Sequence, residues 1–261
     1  MPELQSSQAK AYLKAMGIEL WRERDFQASE IFPAKENTSP VKQAVSVPGE
    51  SVGEDKTATL KQQETEAVTF PLVSTLSWED LRATVTSCQQ CELAEGRTKT
   101  VFGTGNQQAS LMLISDAPDD AEDMSGEPFT GETGQLLNAM LKAIGFNRNQ
   151  VYITNITKCK TPGKREPSDA ESEHCLPYLK RQIELIQPNL ILVLGLTAAQ
   201  RLLNTPSTLS RLRGQLHYVE NISSPVVVSY HPAYLLRAPN EKRKAWEDLK
   251  LIIQYPGLNK G

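Results

Sequence analysis

Four cysteines are the residues of this 261-residue chain whose spacing best matches a known kind of chemical site. Two residues separate Cys88 from Cys91, while Cys159 and Cys175 follow far downstream. A close pair can place two thiolates at one metal centre, and the fold can bring in a third and a fourth sulfur ligand. This pattern indicates a four-sulfur metal or cluster site.

Disulfides, zinc and unrelated buried cysteines are the alternatives to an iron-sulfur cluster. Disulfides need an oxidising compartment, yet residues 1–5 lack the basic start and apolar run of a secretory signal. Structural zinc usually uses two close cysteine pairs, whereas 15 residues separate Cys159 from Cys175. A cluster tolerates irregular spacing because the fold supplies its last ligands. The spacing therefore favours a cluster and leaves the alternatives open.

Polar residues with catalytic potential stand at the ends of apolar segments. Asp116, Asn155 and His231 each follow a predicted strand. A carboxylate can stabilise an oxocarbenium-like sugar or orient water, an amide can read a base edge, and an imidazole can stabilise charge on a base oxygen. Phe129 adds a ring on which a base could stack. Each residue alone is more often structural, so cleavage of a sugar–nucleobase bond is predicted only if they lie together.

Strands and helices alternate along the part of the chain that carries these residues. Apolar strands are predicted at 111–114, 151–154, 190–194 and 226–230. Ser77 and Ser168 are predicted helix caps, Gly145 ends an intervening helix, and a last helix spans about 241–255. This alternation predicts an α/β fold with three α/β/α layers and a mainly parallel central sheet. In such sheets, ligands bind at the carboxyl ends of the strands.

The chain is predicted to have three parts. Residues 1–26 form a short amphipathic segment, in which Tyr12, Leu13 and Met16 share one helical face and Trp21 adds apolar surface for a partner. Residues 27–75 are rich in Ser, Thr, Pro, Glu, Lys and Gln, which is typical of a disordered linker. The globular domain is predicted to span residues 76–261.

Composition and charge limit the classes of function. With 39% hydrophobic and 23% charged residues and no apolar run near 20 residues, we expect a cytoplasmic protein that does not enter membranes. The sequence does not fix the oligomeric state, and a tethered monomer is the simplest expectation. The net charge of −3 gives no global attraction to phosphate. Any DNA binding must therefore use a local basic face, for which Arg211, Arg213 and Arg237 are the candidates.

Residues 76 to 252 resemble the iron-sulfur uracil-DNA glycosylases usually called family 4. The motifs that carry the resemblance are the Cys88 and Cys91 pair and the segments 95–98, 126–134, 151–159, Cys175 and 231–237. The resemblance implies a structural 4Fe-4S cluster held by Cys88, Cys91, Cys159 and Cys175. It also implies that Asp116 is the catalytic acid, Phe129 stacks on the flipped uracil, Asn155 reads the base and His231 stabilises the departing base. The implied reaction is hydrolysis of the N-glycosidic bond.

The segment 115–119 departs from that family pattern. It reads Ser-Asp-Ala-Pro-Asp, where the family typically has Gly-Glu-Ala-Pro-Gly. Two glycines gain side chains, and the shorter acid withdraws its oxygens from the expected position. Asp119 also begins an acidic run with Asp120, Glu122 and Asp123, which predicts weaker DNA binding. An iron-sulfur protein that acts on another damaged base is a further alternative.

Residues 12–21 resemble the amino-terminal peptide of the psi subunit of the bacterial DNA polymerase III clamp loader, which binds the chi subunit. The resemblance implies chi as a partner, and the linker would let the globular domain move nearby. Two functions are therefore predicted. The first is an active uracil-DNA glycosylase. The alternative is a catalytically impaired glycosylase fold that serves as a psi-like subunit of the replisome.

Overall fold

The computed structural model of the protein describes residues 73–258, and within them the predicted α/β/α architecture is confirmed. Six strands form one sheet. They are β1 (Thr104–Gly105), β2 (Leu111–Ser115), β3 (Tyr152–Asn155), β4 (Leu190–Leu194), β5 (Leu216–Val219) and β6 (Ile222–Ser229). Their order across the sheet is β1-β3-β2-β4-β6-β5. The four central strands run parallel, and the edge strands β1 and β5 pair antiparallel.

Nine α-helices lie before, between and after these strands in the described part of the chain. They are α1 (Trp78–Ser87), α2 (Leu93–Gly96), α3 (Asp120–Ser125), α4 (Gly131–Ala143), α5 (Asp169–Ile186), α6 (Leu196–Leu203), α7 (Leu209–Leu212), α8 (Pro232–Arg237) and α9 (Lys242–Gln254). Both predicted helix caps are confirmed. The Ser77 side chain accepts a hydrogen bond from the Asp80 amide, and Ser168 forms a capping box with Glu171. Gly145 follows α4 with a φ of 87°, a conformation that favours glycine.

Two apolar cores separate the layers. On one face of the sheet, Leu113, Ile153 and Leu192 pack with residues of α4 and α9 such as Leu137 and Leu249. The opposite face presents the alternate residues of the same strands to α5 and α6. A smaller cluster joins α1 to α5. Because both faces are buried, the central strands are continuously apolar rather than alternating.

The two edge strands were not predicted from the sequence. β1 has only two residues, and β5 alternates between exposed and half-buried positions. Neither carries the continuous apolar run that marks the central strands. β6 also begins at Ile222, four residues before the predicted start, because Ile222 pairs with Val219 of β5.

The predicted amphipathic segment 1–26 and nearly all of the predicted linker lie outside the described residues. At the end of that linker, Val73–Thr75 forms a 3₁₀ turn against α5. Between residues 73 and 258, no helix is both long and apolar enough to cross a membrane.

Candidate active site

The carboxyl ends of β2 and β3 bring Asp116 and Asn155 to the same edge of the sheet. Ser115 and Asn155 are register partners, and the Thr157 amide donates a hydrogen bond to the Asp116 carbonyl at 3.0 Å. His231, which follows β6, places its Nε2 atom 4.0 Å from Oδ1 of Asp116. The structure therefore gathers the three strand-end residues at one place.

Phe129 joins this group through the loop before α4. Its ring stacks on the His231 ring with 5.4 Å between centroids and 26° between planes. The Phe129 backbone is left-handed, with a φ of 54°, which is uncommon for a residue with a side chain. A Cβ atom at Gly134 would lie 2.0 Å from the Phe129 carbonyl oxygen. Only glycine at 134 therefore leaves room for the Phe129 backbone.

Glu122 is a buried carboxylic acid at the base of the site that sequence reasoning did not assign to it. Oε1 accepts a hydrogen bond from the Phe129 amide at 2.6 Å, and Oε2 accepts one from Nδ2 of Asn155 at 3.4 Å. Burial raises the pKa of Glu122 to about 7. Its contact with Asn155 leaves the amide oxygen of Asn155 as the group available to a base. The capping-box spacing of Asp119 and Glu122 was the signal that could have predicted their contact.

His231 is held in one tautomer by the start of α8. Its Nδ1 atom accepts a hydrogen bond from the Ala233 amide at 3.1 Å. The proton of the neutral ring must then lie on Nε2, which faces Asp116. Burial lowers the pKa of His231, Arg237 lowers it further, and the nearby Asp116 opposes both effects. A neutral ring with an Nε2–H donor directed into the site follows from this arrangement.

The acidic run after Asp116 is largely used within the protein. Asp119 caps α3 by accepting from the Glu122 amide at 2.9 Å. The buried Asp123 accepts from the Thr98 amide and pairs with Lys160 at 3.2 Å. Asp120 pairs with Lys160 and Lys164, each at 3.6 Å. These contacts give the acidic residues structural roles that the sequence analysis did not foresee.

Two cavities open beside Asp116. The larger, of about 420 Å³, is also lined by Gly195, His231, Tyr234 and Arg237. The smaller, of about 160 Å³, is lined by Pro118, by the basic residues Lys160, Lys164 and Arg165, and by the acidic residues Asp119, Asp120 and Glu166. Asp116 thus lies where a recess with aromatic residues meets a recess lined by charges of both signs.

The four cysteines come together at a cavity beside α1 and α5. Cys88 and Cys91 follow α1, Cys159 follows β3, and Cys175 lies in α5; all four line one cavity. Nη1 of Arg97 donates to Sγ of Cys159 at 3.3 Å. The Tyr178 hydroxyl donates to Sγ of Cys88 at 3.6 Å. Burial raises the pKa of the Cys159 thiol and raises that of Cys175 to about 11.

A buried lysine, Lys158, lies between these cysteines and Asn155. Its Nζ atom donates to the Asn155 carbonyl, to the Thr154 hydroxyl and to Oε1 of Gln182, each at 2.7 Å. Gln182 in turn donates to the Phe102 carbonyl at 2.9 Å. The network supplies hydrogen-bond partners to the amino group of Lys158, which is only 1% exposed, and it braces the end of β3. Burial lowers the pKa of Lys158 to about 7. Sequence reasoning missed Lys158 because no local pattern marks a buried lysine.

The three arginines predicted to contact DNA differ in their surroundings. Arg211 and Arg237 are exposed, and Arg237 lines the larger cavity. The Arg213 side chain is only 15% exposed, pairs with the buried Asp248 at 2.9 Å and lies 5.4 Å over the Tyr230 ring. Arg213 therefore stabilises the domain through contacts that leave little of its guanidinium for a phosphate.

Replacing Arg213 by alanine is expected to destabilise the domain by about 3–5 kcal/mol, since it leaves Asp248 buried without its cationic partner. Urea unfolding followed by circular dichroism measures this change. Arg211→Ala is the matched control and should alter stability by less than about 0.5 kcal/mol. Equal stabilities for the two variants would contradict the structural role of Arg213.

Comparison with known proteins connects this arrangement to a family. The model of the uracil DNA glycosylase superfamily matches residues 102–250. A type-4 uracil-DNA glycosylase of Archaeoglobus fulgidus is 40% identical over 187 residues, which cover 69% of this chain and 94% of that protein. A type-4 uracil-DNA glycosylase of Thermotoga maritima is 35% identical over a region that covers 61% of this chain and 84% of that protein.

A DNA polymerase of Bacillus phage SP01 is also similar, with 27% identity over 61% of this chain and 17% of the polymerase. The match to the type-4 proteins is closer and spans most of their length. This chain belongs to the type-4 uracil-DNA glycosylases.

Proposed function

We propose that this protein hydrolyses the N-glycosidic bond between uracil and deoxyribose in DNA. One observation carries the proposal: Asp116, Phe129, Asn155 and His231 lie at one edge of the sheet, and Asp116 and His231 line a cavity there, while Phe129 and Asn155 are buried beside them. A base must leave the helical stack to reach residues in such a recess. Membership of the type-4 family makes uracil the expected base.

Each side chain has a role that follows from its geometry. The amide oxygen of Asn155, left open by the Glu122 contact, accepts from N3–H of uracil, while Phe129 offers a ring for stacking. The N1–C1′ bond breaks and its electron pair moves into the uracil ring, where the Nε2–H group of His231 donates to the carbonyl oxygen that becomes negative. Asp116 stabilises the cationic sugar and orients the water whose oxygen binds C1′. The proton that this water loses passes to the Asp116 carboxylate, and the departing uracil anion takes up a proton from solvent.

The test is excision of uracil from a labelled oligonucleotide by the purified full-length chain. We expect an abasic site in uracil-containing DNA and none in the matched thymine DNA. Asn155→Ala should lower the excision rate by at least about 10²-fold, because the base then loses its main polar contact. An intact, folded wild-type protein without excision activity would overturn the proposal.

DNA is proposed to cross the sheet edge between the two cavities, with phosphates contacting Arg237 on one side and Lys164 on the other. We propose that the exposed Arg211 extends this contact surface. Both Arg237 and Lys164 line a cavity that reaches Asp116. We expect the positive charge of this path to come mainly from Arg237 and Arg211, because Lys164 pairs with Asp120.

Arg237→Ala is expected to weaken DNA binding for every sequence equally. Because one phosphate contact disappears, the slope of log K against log salt should fall by about 0.7–0.9. Fluorescence anisotropy over a salt series measures the slope. Lys142→Ala, at the far end of α4, is the control and should leave the slope unchanged.

We also propose that Cys88, Cys91, Cys159 and Cys175 hold a 4Fe-4S cluster. Within residues 73–258, no three His, Cys, Asp or Glu side chains form a group that could hold one metal ion. The four thiols nevertheless line one cavity, and two of them receive hydrogen bonds from Arg97 and Tyr178. Membership of the type-4 family makes a 4Fe-4S cluster the expected occupant of this cavity.

When bound, the cluster cross-links three separate segments of the domain rather than taking part in the reaction. Anaerobically purified protein should be brown and contain iron and acid-labile sulfide in equal amounts. Cys175→Ser should lose the colour and unfold at lower temperature. Zinc in place of iron and sulfide, under the same purification, would contradict the proposal.

A second candidate function concerns the amino-terminal segment. We propose, from its sequence resemblance, that residues 1–26 bind the chi subunit of the clamp loader. The similarity of the globular domain to part of a phage DNA polymerase supports an association with replication. Calorimetry with the full chain and purified chi should show binding that Trp21→Ala abolishes. Binding combined with no uracil excision would identify a psi-like subunit with an inactive glycosylase fold.

A further inference from the structure

The last residue of β2, Ser115, is a buried serine beside the proposed catalytic carboxylate. Four apolar residues precede it in β2, and it is 1% exposed. Its hydroxyl donates to Oδ1 of Asp116 at 3.0 Å, and the Ala117 amide donates to the same oxygen at 3.1 Å. A buried hydroxyl costs free energy unless it is hydrogen-bonded, so this contact explains why a serine is tolerated there.

The two oxygens of Asp116 consequently have different surroundings. Oδ1 receives both hydrogen bonds and lies 4.0 Å from Nε2 of His231. Among residues 73–258, no hydrogen bond reaches Oδ2. This oxygen lies on the side of Gly195, where an added Cβ atom would be 3.9 Å away. Gly195 lines the larger cavity, so Oδ2 is the oxygen presented to a sugar or water.

We infer that Ser115 is a positioning residue for the reaction, because its hydroxyl fixes the Asp116 carboxylate with Oδ2 facing the cavity. The terminal torsion of an aspartate is broad and allows the carboxylate to rotate. Two donors on one oxygen remove that freedom, which matters at a site with a tolerance of about 0.5 Å. The inference rests on the proposed glycosylase function and gives the serine at 115 a role in it.

The structure also offers a matched control for Ser115. Ser224 is a buried serine of β6 whose hydroxyl donates to the Pro188 carbonyl. Ser224 lies near the start of β6, whereas the candidate active site lies beyond the carboxyl end of that strand. Ser224→Ala removes an equivalent buried hydrogen bond and separates loss of stability from loss of catalysis.

The test compares single-turnover uracil excision and DNA affinity for wild type, S115A, D116N, the S115A/D116N double variant and S224A. We expect S115A to slow excision about 10- to 100-fold and to leave DNA affinity unchanged. This is the size of effect expected when one hydrogen bond to a charged group is lost. In the D116N background, S115A should change the rate by less than about twofold, because the carboxylate that it positions is gone. S224A should excise at the wild-type rate.

The outcomes separate the inference from the function on which it rests. A wild-type protein that does not excise uracil overturns both. An active wild type with S115A at the same rate overturns the inference alone. The inference also fails if S115A slows excision as much with D116N as without it, because the serine would then act through the strand and not through Asp116.

Discussion

Replacement of His231 by alanine is expected to lower the rate of uracil excision about 10²- to 10³-fold, with little change in DNA affinity. This is the effect of removing one preorganised donor to a developing negative charge. The Ala233 amide directs the ring proton to Nε2, so the lost donor is the one that faces the departing base. Single-turnover kinetics measure the change, and His217→Ala on the edge strand β5 is the control.

The pH dependence of the excision rate is a second test of the role of His231. Burial lowers the pKa of His231, so the ring stays neutral at pH values where an ordinary histidine, with a pKa near 6.5, is half protonated. Protonation would remove the tautomer fixed by Ala233, and the lowered pKa moves the midpoint of that protonation below 6.5. The His231-dependent part of the excision rate should therefore fall with a midpoint below pH 6.5. A midpoint at or above 6.5 that disappears in His231→Ala would contradict the assignment.

Replacement of Gly134 by alanine is expected to abolish excision and to lower stability by about 1–3 kcal/mol. The added Cβ atom would stand 2.0 Å from the Phe129 carbonyl oxygen, so the backbone must shift. That shift moves the stacking ring and the amide that Glu122 binds. Urea unfolding and excision assays measure the two effects.

Gly96→Ala is the control for this substitution, because nothing in the described structure lies within 4 Å of a Cβ atom at that position. It should excise uracil at the wild-type rate. If Gly134→Ala behaved like Gly96→Ala, the tight packing beneath Phe129 would have no importance for the reaction.

Local patterns in the sequence predicted the features that depend on a few neighbouring residues. Ser77 and Ser168 marked helix starts because a capping side chain acts within one turn. The four central strands were predicted because buried parallel strands are continuously apolar. The carboxyl ends of those strands then placed Asp116 and Asn155 on one edge of the sheet.

Features that depend on distant contacts could not be predicted in this way. Glu122 became part of the site only because the 126–134 loop folds back over it. Lys158 looks like a surface residue in the sequence, yet its partners come from β3 and α5. Arg213 appeared to be a candidate for DNA contact because its partner Asp248 is 35 residues away.

The contact of Arg213 with Asp248 has a consequence for the rim of the larger cavity. Arg213 lies over Tyr230, and Tyr230 stacks on Tyr234 with 5.3 Å between their centroids. The buried carboxylate thus anchors a column of planar groups whose outermost ring, Tyr234, remains 40% exposed. A nucleotide that meets this ring encounters a surface already immobilised by folding, so docking there loses little additional side-chain entropy.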